Sequence, residues 1–144
     1  METLPQKKTA DINTLTNTII VPVRFSEVDA LGIVWHGHYL KFFEDERESF
    51  GRQYGLGYLD VYKFKFATPL VKINVEFKKT VKYGDHVKII TTFIYSPAAK
   101  IIFKYDIFRE SDGELVATGE STQIFMNLDY ELHITVPEFY DEWK

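Results

Sequence analysis

One long helical pattern among several strand patterns constrains the fold of this chain more than any other feature. From about Gly37 to Tyr54 aromatic residues recur close to helical spacing, and Gly55 follows as a natural stop. The recurring positions are Tyr39, Phe42, Phe43, Phe50 and Tyr54. One helix covers only one face of a sheet, so we expect a helix packed on a sheet, with further apolar surface buried in a homo-oligomer.

The segments around this helix have the patterns of strands. Residues 18–25 are β-branched and apolar, and residues 71–78 alternate apolar with polar side chains. Turn residues separate three more strand-like segments, 86–95, 101–108 and 114–128. The order predicts an α+β domain with a strand, the helix and then about four antiparallel strands.

Three smaller local features are also predicted. Residues 56–64 are expected to form a loop. Gly119 is expected to form a β-bulge in the last long strand. Pro137 suits the first turn of a short terminal helix.

Length and composition set the outer limits. The 144 residues are expected to form one domain over residues 18–144, after a flexible, polar N-terminal tail over residues 1–17. The balance of 17 basic and 21 acidic residues argues against nucleic-acid binding, and the absence of cysteine excludes disulfides, thiolate metal sites and a cysteine nucleophile. No apolar run could span a membrane and no secretory signal is recognisable, so we expect a cytoplasmic protein without a membrane partner.

The turn before the helix carries the most informative polar residue, Asp29. Backbone N–H groups at a helix start point outward and favour negative charge. Such donors could stabilise the oxyanion of an acyl bond under attack, while the carboxylate acts as general base or as nucleophile. Taken alone, the Asp-x-x-Gly sequence is more typical of an Asx turn or a helix cap without chemistry.

Two ordered motifs extend this pattern. Residues 24–44 read R-F-x-E-x-D-x-x-G-x-x-W-H-x-x-Y-x-x-F-F-E, and residues 75–85 read V-x-F-x-x-T-x-x-Y-G-D. With these motifs the chain resembles the hotdog-fold acyl-CoA thioesterases of the 4-hydroxybenzoyl-CoA thioesterase type, over nearly all of residues 18–140. The resemblance implies a curved antiparallel sheet wrapped around one long central helix. It also implies a homodimer or homotetramer with active sites between subunits, an acyl-CoA substrate hydrolysed to free acid and coenzyme A, and no metal or organic cofactor.

The resemblance also implies roles for single residues. Asp29 corresponds to the family's catalytic carboxylate, and His36 corresponds to the His or Tyr at the helix start. His36 either orients the thioester or water, or contributes only its backbone N–H. Gly37, Tyr39 and Trp35 are the predicted substrate contacts, although core or interface packing is the more usual role for two such aromatic residues.

The basic cluster of Lys78, Lys79 and Lys82 leaves alternatives open. These side chains could attract the phosphates of coenzyme A or an acidic acyl-carrier protein, but solvated lysines at a strand end are commoner. An acyl-carrier-protein thioesterase is therefore one alternative function. The other is a non-catalytic acyl-ligand binding module on the same fold, against which the retention of Asp29 argues.

Glu46 departs from the family pattern, which usually has a small residue at this helical position. A buried, unpaired carboxylate is costly. We therefore expect Glu46 to pair with Arg47 or Arg52, or the helix to be turned toward solvent at this point.

Overall fold

The computed structural model describes residues 15–144 as one long helix packed against an antiparallel sheet. The elements in chain order are β1 (Thr16–Pro22), a 3-10 turn (Phe25–Glu27), α1 (His38–Tyr54), α2 (Tyr58–Lys63), β2 (Phe66–Ala67), β3 (Leu70–Phe77), β4 (His86–Ile94), β5 (Lys100–Arg109), β6 (Leu115–Asn127), β7 (Leu132–His133) and α3 (Glu138–Trp143). The predicted central helix is confirmed, and it ends where Gly55 adopts a left-handed conformation with φ 73°.

Two segment boundaries differ from the sequence predictions. The first strand begins two residues early because its pairing with β4 extends to Thr16 opposite Thr92. The predicted loop over residues 56–64 is wrong, since α2 lies there and Asp60 Oδ2 accepts the Gly57 N–H at 2.9 Å to cap it. Residues 1–14 of the predicted tail lie outside the described residues.

Within residues 15–144 the sheet has seven strands, and every strand pair is antiparallel. Its long strands run in the order β1-β4-β5-β6-β3, with the short β2 and β7 both paired to the end of β6. The strands β1 and β3 therefore form the two edges of the sheet in the described part of the chain.

Gly119 of β6 serves a purpose other than the predicted bulge. It pairs in register with both neighbouring strands, and the β5–β6 irregularity lies instead between Ile107 and Phe108. A Cβ atom at Gly119 would lie 2.5 Å from the Phe43 ring and 2.9 Å from the Asn74 carbonyl oxygen. The bulge prediction is wrong, and the glycine is needed because α1 approaches the sheet closely here.

Aromatic rings make most of the contact between α1 and the sheet. The Phe43 ring stacks on the Tyr105 ring with centroids 4.2 Å apart, and the Phe50 ring meets the Phe103 ring edge-to-face at 4.8 Å. These rings are fully or nearly fully buried. Their packing fixes the distance and rotation of the helix relative to the strands.

The short helix α3 closes one end of this core, which confirms the predicted terminal helix. Trp143 Nε1 donates to the Tyr54 carbonyl oxygen at 2.7 Å, and the Tyr140 hydroxyl donates to the Lys100 carbonyl oxygen at 2.9 Å. These bonds attach the chain terminus both to the last turn of α1 and to the start of β5.

Glu46 is completely buried on the sheet-facing side of α1, beside Thr91 of β4. Neither carboxyl oxygen, nor the Thr91 hydroxyl, has a hydrogen bond of good geometry to another described residue. Burial raises the pKa of Glu46 to about 8, and the proximity of Thr91 offsets only part of that shift. Glu46 is therefore a neutral carboxylic acid at pH 7.

The expected pairing of Glu46 with an arginine is wrong. Arg47 Nη1 instead donates to the Tyr105 hydroxyl at 3.1 Å, and Arg52 forms an ion pair with Glu48 at 2.9 Å. The helix is not turned toward solvent at Glu46 either. Loss of the charge, rather than a partner, allows this side chain to stay in the core.

Stability should therefore depend on pH through Glu46. Between about pH 4.5 and pH 8 the unfolded chain releases this proton while the folded protein retains it. The free energy of unfolding then falls as pH rises, by up to about 1.4 kcal/mol per pH unit. Because Glu46→Gln has no proton to release, its stability should fall less over this range in urea unfolding at pH 5, 6.5 and 8.

Glu44→Gln, an exposed change on the same helix, is the matched control and should keep the wild-type pH dependence. Equal slopes for wild type and Glu46→Gln would show that Glu46 ionises normally in the folded protein.

Candidate active site

The chain before α1 forms a short hairpin with Asp29 at its turn. Val28 and Val34 pair across it, and the Asp29 N–H donates to the Ile33 carbonyl oxygen at 2.8 Å. The Gly32 N–H donates to the Asp29 carbonyl oxygen at 2.9 Å. Gly32 closes this turn with a positive φ of 77°, a conformation that glycine adopts readily. The backbone alone thus fixes the position of Asp29.

The loop after β3 lies against this hairpin and extends it. The Val34 N–H donates to the Val81 carbonyl oxygen at 2.8 Å, and the Tyr83 N–H donates to the Gly32 carbonyl oxygen at 3.2 Å. Val81 is fully buried and anchors the loop to the core. We call these two segments, residues 27–35 and 81–83, the ribbon.

The carboxylate of Asp29 is exposed at the tip of the ribbon. Its Oδ1 accepts the Leu31 N–H at 2.8 Å, which is the hydrogen bond of an Asx turn. Its Oδ2 has no hydrogen bond to any described residue. One oxygen therefore holds the side chain in place while the other is open to a ligand.

The start of α1 provides unbonded backbone donors. The helix begins at His38 with Gly37 as N-cap, and no side chain caps it. The His38 N–H donates to Trp35 and the Tyr39 N–H donates to His36, at 2.9 and 3.3 Å. The N–H groups of His36 and Gly37 have no acceptor in the described part of the chain, so the available donors are at these two residues.

Trp35 lies directly over Gly37. A Cβ atom at Gly37 would come within 2.2 Å of the Trp35 ring, so a glycine is required for this contact. The Trp35 ring also lies beside the rings of His36 and His38, with centroids 5.0 and 5.8 Å away. The half-exposed indole thereby occupies the space that a side chain at position 37 would need.

The other predicted aromatic contact, Tyr39, faces the core. It is buried, and its ring meets the Phe77 ring of β3 at 5.0 Å. The exposed His36 ring lies 6.3 Å from the same Phe77 ring. The structure thus gathers Trp35, His36, Gly37 and Tyr39 at the helix start, with Asp29 at the tip of the adjoining ribbon.

Glu27 has a structural role. It is buried, and its Oε1 accepts the Arg24 N–H at 2.7 Å, bracing the 3-10 turn at the start of the ribbon. No hydrogen bond joins it to Asp29.

Sequence reasoning missed two further residues beside the ribbon. The rings of Phe25 and Tyr83 meet edge-to-face with centroids 5.8 Å apart. The V-x-F-x-x-T-x-x-Y-G-D motif contained Tyr83, but a motif does not show which distant residue lies next to it.

The basic cluster separates into residues with different surroundings. Lys79 Nζ lies 3.2 Å from a Glu114 carboxylate oxygen, and Lys78 Nζ lies 4.0 Å from Glu76. Lys82 forms no ion pair with any described residue. Of the three lysines only Lys82 lies in the ribbon, where it forms an antiparallel β-bridge with Ile33.

Residues 15–144 contain neither a metal-binding cluster nor a helix able to span a membrane. Nowhere in this range do three or more His, Cys, Asp or Glu residues form a group able to hold a metal ion. None of the helices in this range has both the length and the apolar character needed to cross a bilayer.

Comparison with known sequences identifies relatives over most of the chain. The model of the Thioesterase-like superfamily matches residues 23–143. The protein YneP of Bacillus subtilis (strain 168), which has a provisional acyl-CoA thioesterase assignment, is 28% identical over 123 residues, or 85% of this chain and 88% of YneP. These matches support thioester hydrolysis at the level of the family, while the roles of single residues stay predictions.

Comparison with solved structures identifies the fold of this chain. The DHNA-CoA thioesterase of Staphylococcus aureus is 30% identical with a TM-score of 0.75, covering 83% of this chain and 80% of that one. Slr0204 of Synechocystis, a 1,4-dihydroxy-2-naphthoyl-CoA thioesterase, is 20% identical with a TM-score of 0.77, covering 88% and 93%, which is a likeness of fold. The predicted hotdog fold is thereby confirmed. The chain belongs to the Thioesterase-like superfamily.

Proposed function

We propose that this protein hydrolyses acyl-CoA thioesters to a free acid and coenzyme A, with Asp29 as general base or nucleophile. The observation that carries the proposal is the open Oδ2 of Asp29 on a ribbon that leads directly to the unbonded N–H groups of His36 and Gly37. The Leu31 bond makes Asp29 an Asx-turn residue and not a helix cap, and it uses only Oδ1, so the proposal depends on Oδ2.

The backbone donors would act on the carbonyl oxygen of the thioester. As the carbonyl carbon is attacked, this oxygen gains negative charge, and the N–H groups of His36 and Gly37 stabilise it with the dipole of α1 behind them. The exposed His36 ring, beside Phe77, borders the same space and would orient the thioester. His36 therefore contributes at least its backbone N–H.

Two routes use the Asp29 carboxylate. As a general base it takes a proton from water, whose oxygen attacks the carbonyl carbon. The tetrahedral intermediate then expels the coenzyme A thiolate, which takes up the proton from Asp29 and restores the carboxylate. As a nucleophile it forms a mixed anhydride as the thiolate leaves, and water then hydrolyses the anhydride to the acid and restores Asp29. The same products result, and each route needs Oδ2 to be open.

The first candidate for the acyl group of the substrate is an aromatic one, because the chain resembles the 4-hydroxybenzoyl-CoA thioesterases. A panel of acyl-CoA substrates from acetyl through long-chain to aromatic groups tests this. Hydrolysis of none of them would favour the non-catalytic binding module.

We further propose that two copies pair along β3. The outer edge of this strand pairs with no described strand, and such an edge is a template for another chain. Leu70, Val71 and Phe77 are exposed along it. Because the Phe77 ring contacts both His36 and Tyr39, the site would border the pairing edge.

Asp29→Asn should lower thioester hydrolysis by about 10²- to 10⁴-fold, the usual contribution of a positioned acid–base group. Asparagine keeps the side-chain oxygen that accepts the Leu31 N–H, so the turn and the thermal stability should be preserved. Steady-state release of coenzyme A measures the effect. Asp129→Asn, at another exposed turn, is the control, and full activity of Asp29→Asn would reject the assignment.

Gly37→Ala should test the backbone donors. The new Cβ clashes with the Trp35 ring, and relief of the clash shifts the backbone at His36 and Gly37. A misplaced donor should lower kcat by roughly 10²-fold. In the Trp35→Ala background the same alanine meets no ring, so its effect on kcat should be much smaller. An equal loss in both backgrounds would argue against this placement of the oxyanion site.

Val71→Asp should shift the protein toward a smaller species. This side chain is 55% exposed within one chain, so the folded protomer tolerates a charge, whereas a β3–β3 interface would bury it. Ile20→Asp, 52% exposed on the opposite edge strand β1, is the matched control. Light scattering after gel filtration reports the mass, and a loss of mass only in Ile20→Asp would place the interface at β1.

A further inference from the structure

Two aromatic rings beside the candidate site are exposed without a packing role. Phe25 is 77% exposed and Tyr83 is 60% exposed, although their rings touch edge-to-face at 5.8 Å. Aromatic rings that are exposed and in contact with each other offer an apolar surface to a ligand. An edge-to-face pair also leaves a ring face open, on which a flat ligand ring can stack.

Two exposed cations are adjacent in sequence to these rings. Lys82 directly precedes Tyr83 and has no ion-pair partner among the described residues, and the same holds for the exposed Arg24, which precedes Phe25. Asp85, three positions after Lys82, is already engaged, because its Oδ2 accepts the Lys82 backbone N–H at 2.9 Å and lies 4.0 Å from Arg109 Nε. The ammonium and guanidinium groups therefore remain available to an anion.

The ribbon joins this patch to the candidate catalytic residue. Tyr83 is bonded to Gly32, and Lys82 pairs with Ile33, both in the hairpin that carries Asp29. Phe25 lies four positions before Asp29, which limits their separation to about 14 Å. A ligand with a thioester at one end and a flat, anionic group at the other could engage both.

We propose that Phe25, Tyr83 and Lys82 form the binding site for the nucleotide end of coenzyme A, so that the enzyme distinguishes coenzyme A from an acyl-carrier protein. The proposal rests on the function proposed above. The adenine ring would stack on the aromatic pair, while the phosphates would accept hydrogen bonds from Lys82 and Arg24.

The charge distribution favours a nucleotide over an acidic carrier protein. A protein partner is attracted by an extended potential of one sign. Here Lys78 and Lys79 are offset by Glu76 and Glu114, so Lys82 is the one lysine of the basic cluster without an ion pair among the described residues. A positive charge of this small extent can bind phosphate groups, and it is too small to attract a protein partner from a distance.

The test compares two thioesters that carry the same acyl group, acyl-CoA and acyl-pantetheine, which lacks the nucleotide. The double variant Phe25→Ala/Tyr83→Ala and the single variant Lys82→Ala should each lower kcat/KM for acyl-CoA by about 10-fold, mainly through KM. Neither should change kcat/KM for acyl-pantetheine. Tyr58→Ala and Lys104→Ala, which change an exposed aromatic residue and an exposed lysine elsewhere, should leave both values unchanged.

Three results would overturn the proposal. The first is unchanged acyl-CoA kinetics, and the second is an equal loss for both thioesters, since the rings would then serve catalysis or folding. The third is a loss confined to an acyl-carrier-protein substrate, or a smaller mass in gel filtration, since a protein or a second copy would then cover the rings.

A binding measurement separates this proposal from the proposed activity. Calorimetry with free coenzyme A should show about 10-fold weaker binding to Phe25→Ala/Tyr83→Ala than to wild type. If wild type hydrolyses neither thioester, the proposed activity fails, but this difference in coenzyme A binding still supports the nucleotide site. Equal binding by the two proteins would reject it.

Discussion

The close approach of α1 to the sheet is the constraint on which the rest of the structure depends. The Phe43 ring occupies the space that a side chain at position 119 would need and stacks on Tyr105. Interiors packed at this density do not let a helix slide or rotate without losing contacts. The sheet therefore determines where the first residue of α1 lies, and with it the direction of the backbone donors before it.

This constraint also explains how a charged residue type is tolerated at position 46. Rotating α1 to expose Glu46 would pull Phe43 and Phe50 out of their contacts with β5. Keeping the carboxyl group protonated at pH 7 costs a free energy that is set by the gap between this pH and its ordinary pKa of 4.5, and the ring contacts are kept. The helix stays in place and the side chain changes its protonation state instead.

Sequence patterns predicted what depends on neighbours along the chain. The central helix, its glycine stop and the terminal helix follow from periodicity and capping, and the turn that carries Asp29 follows from its place between a strand and a helix, while the role of Asp29 stays a prediction. The function of Gly119 could not be predicted in this way, since the reason for the glycine is a ring on a distant helix. The short helix α2 was missed because one turn and a half of helix is too short to show a period. Glu46 was placed wrongly because arginines near in sequence turned out to bond Tyr105 and Glu48.

The two parts of the candidate site are held by different kinds of contact, one local in sequence and one between distant segments. Asp29, His36 and Gly37 lie within one short segment, so their arrangement depends on a hairpin and a helix start, which are local structures. The contact of Tyr83 with Phe25 depends instead on the loop after β3, held by the buried Val81 against Val34. That loop leaves Lys82 and Tyr83 exposed while its backbone supports the turn that carries Asp29. Exposed side chains of the ribbon can change without moving Asp29, so the surface beside the turn can vary while the position of the Asp29 carboxylate is kept.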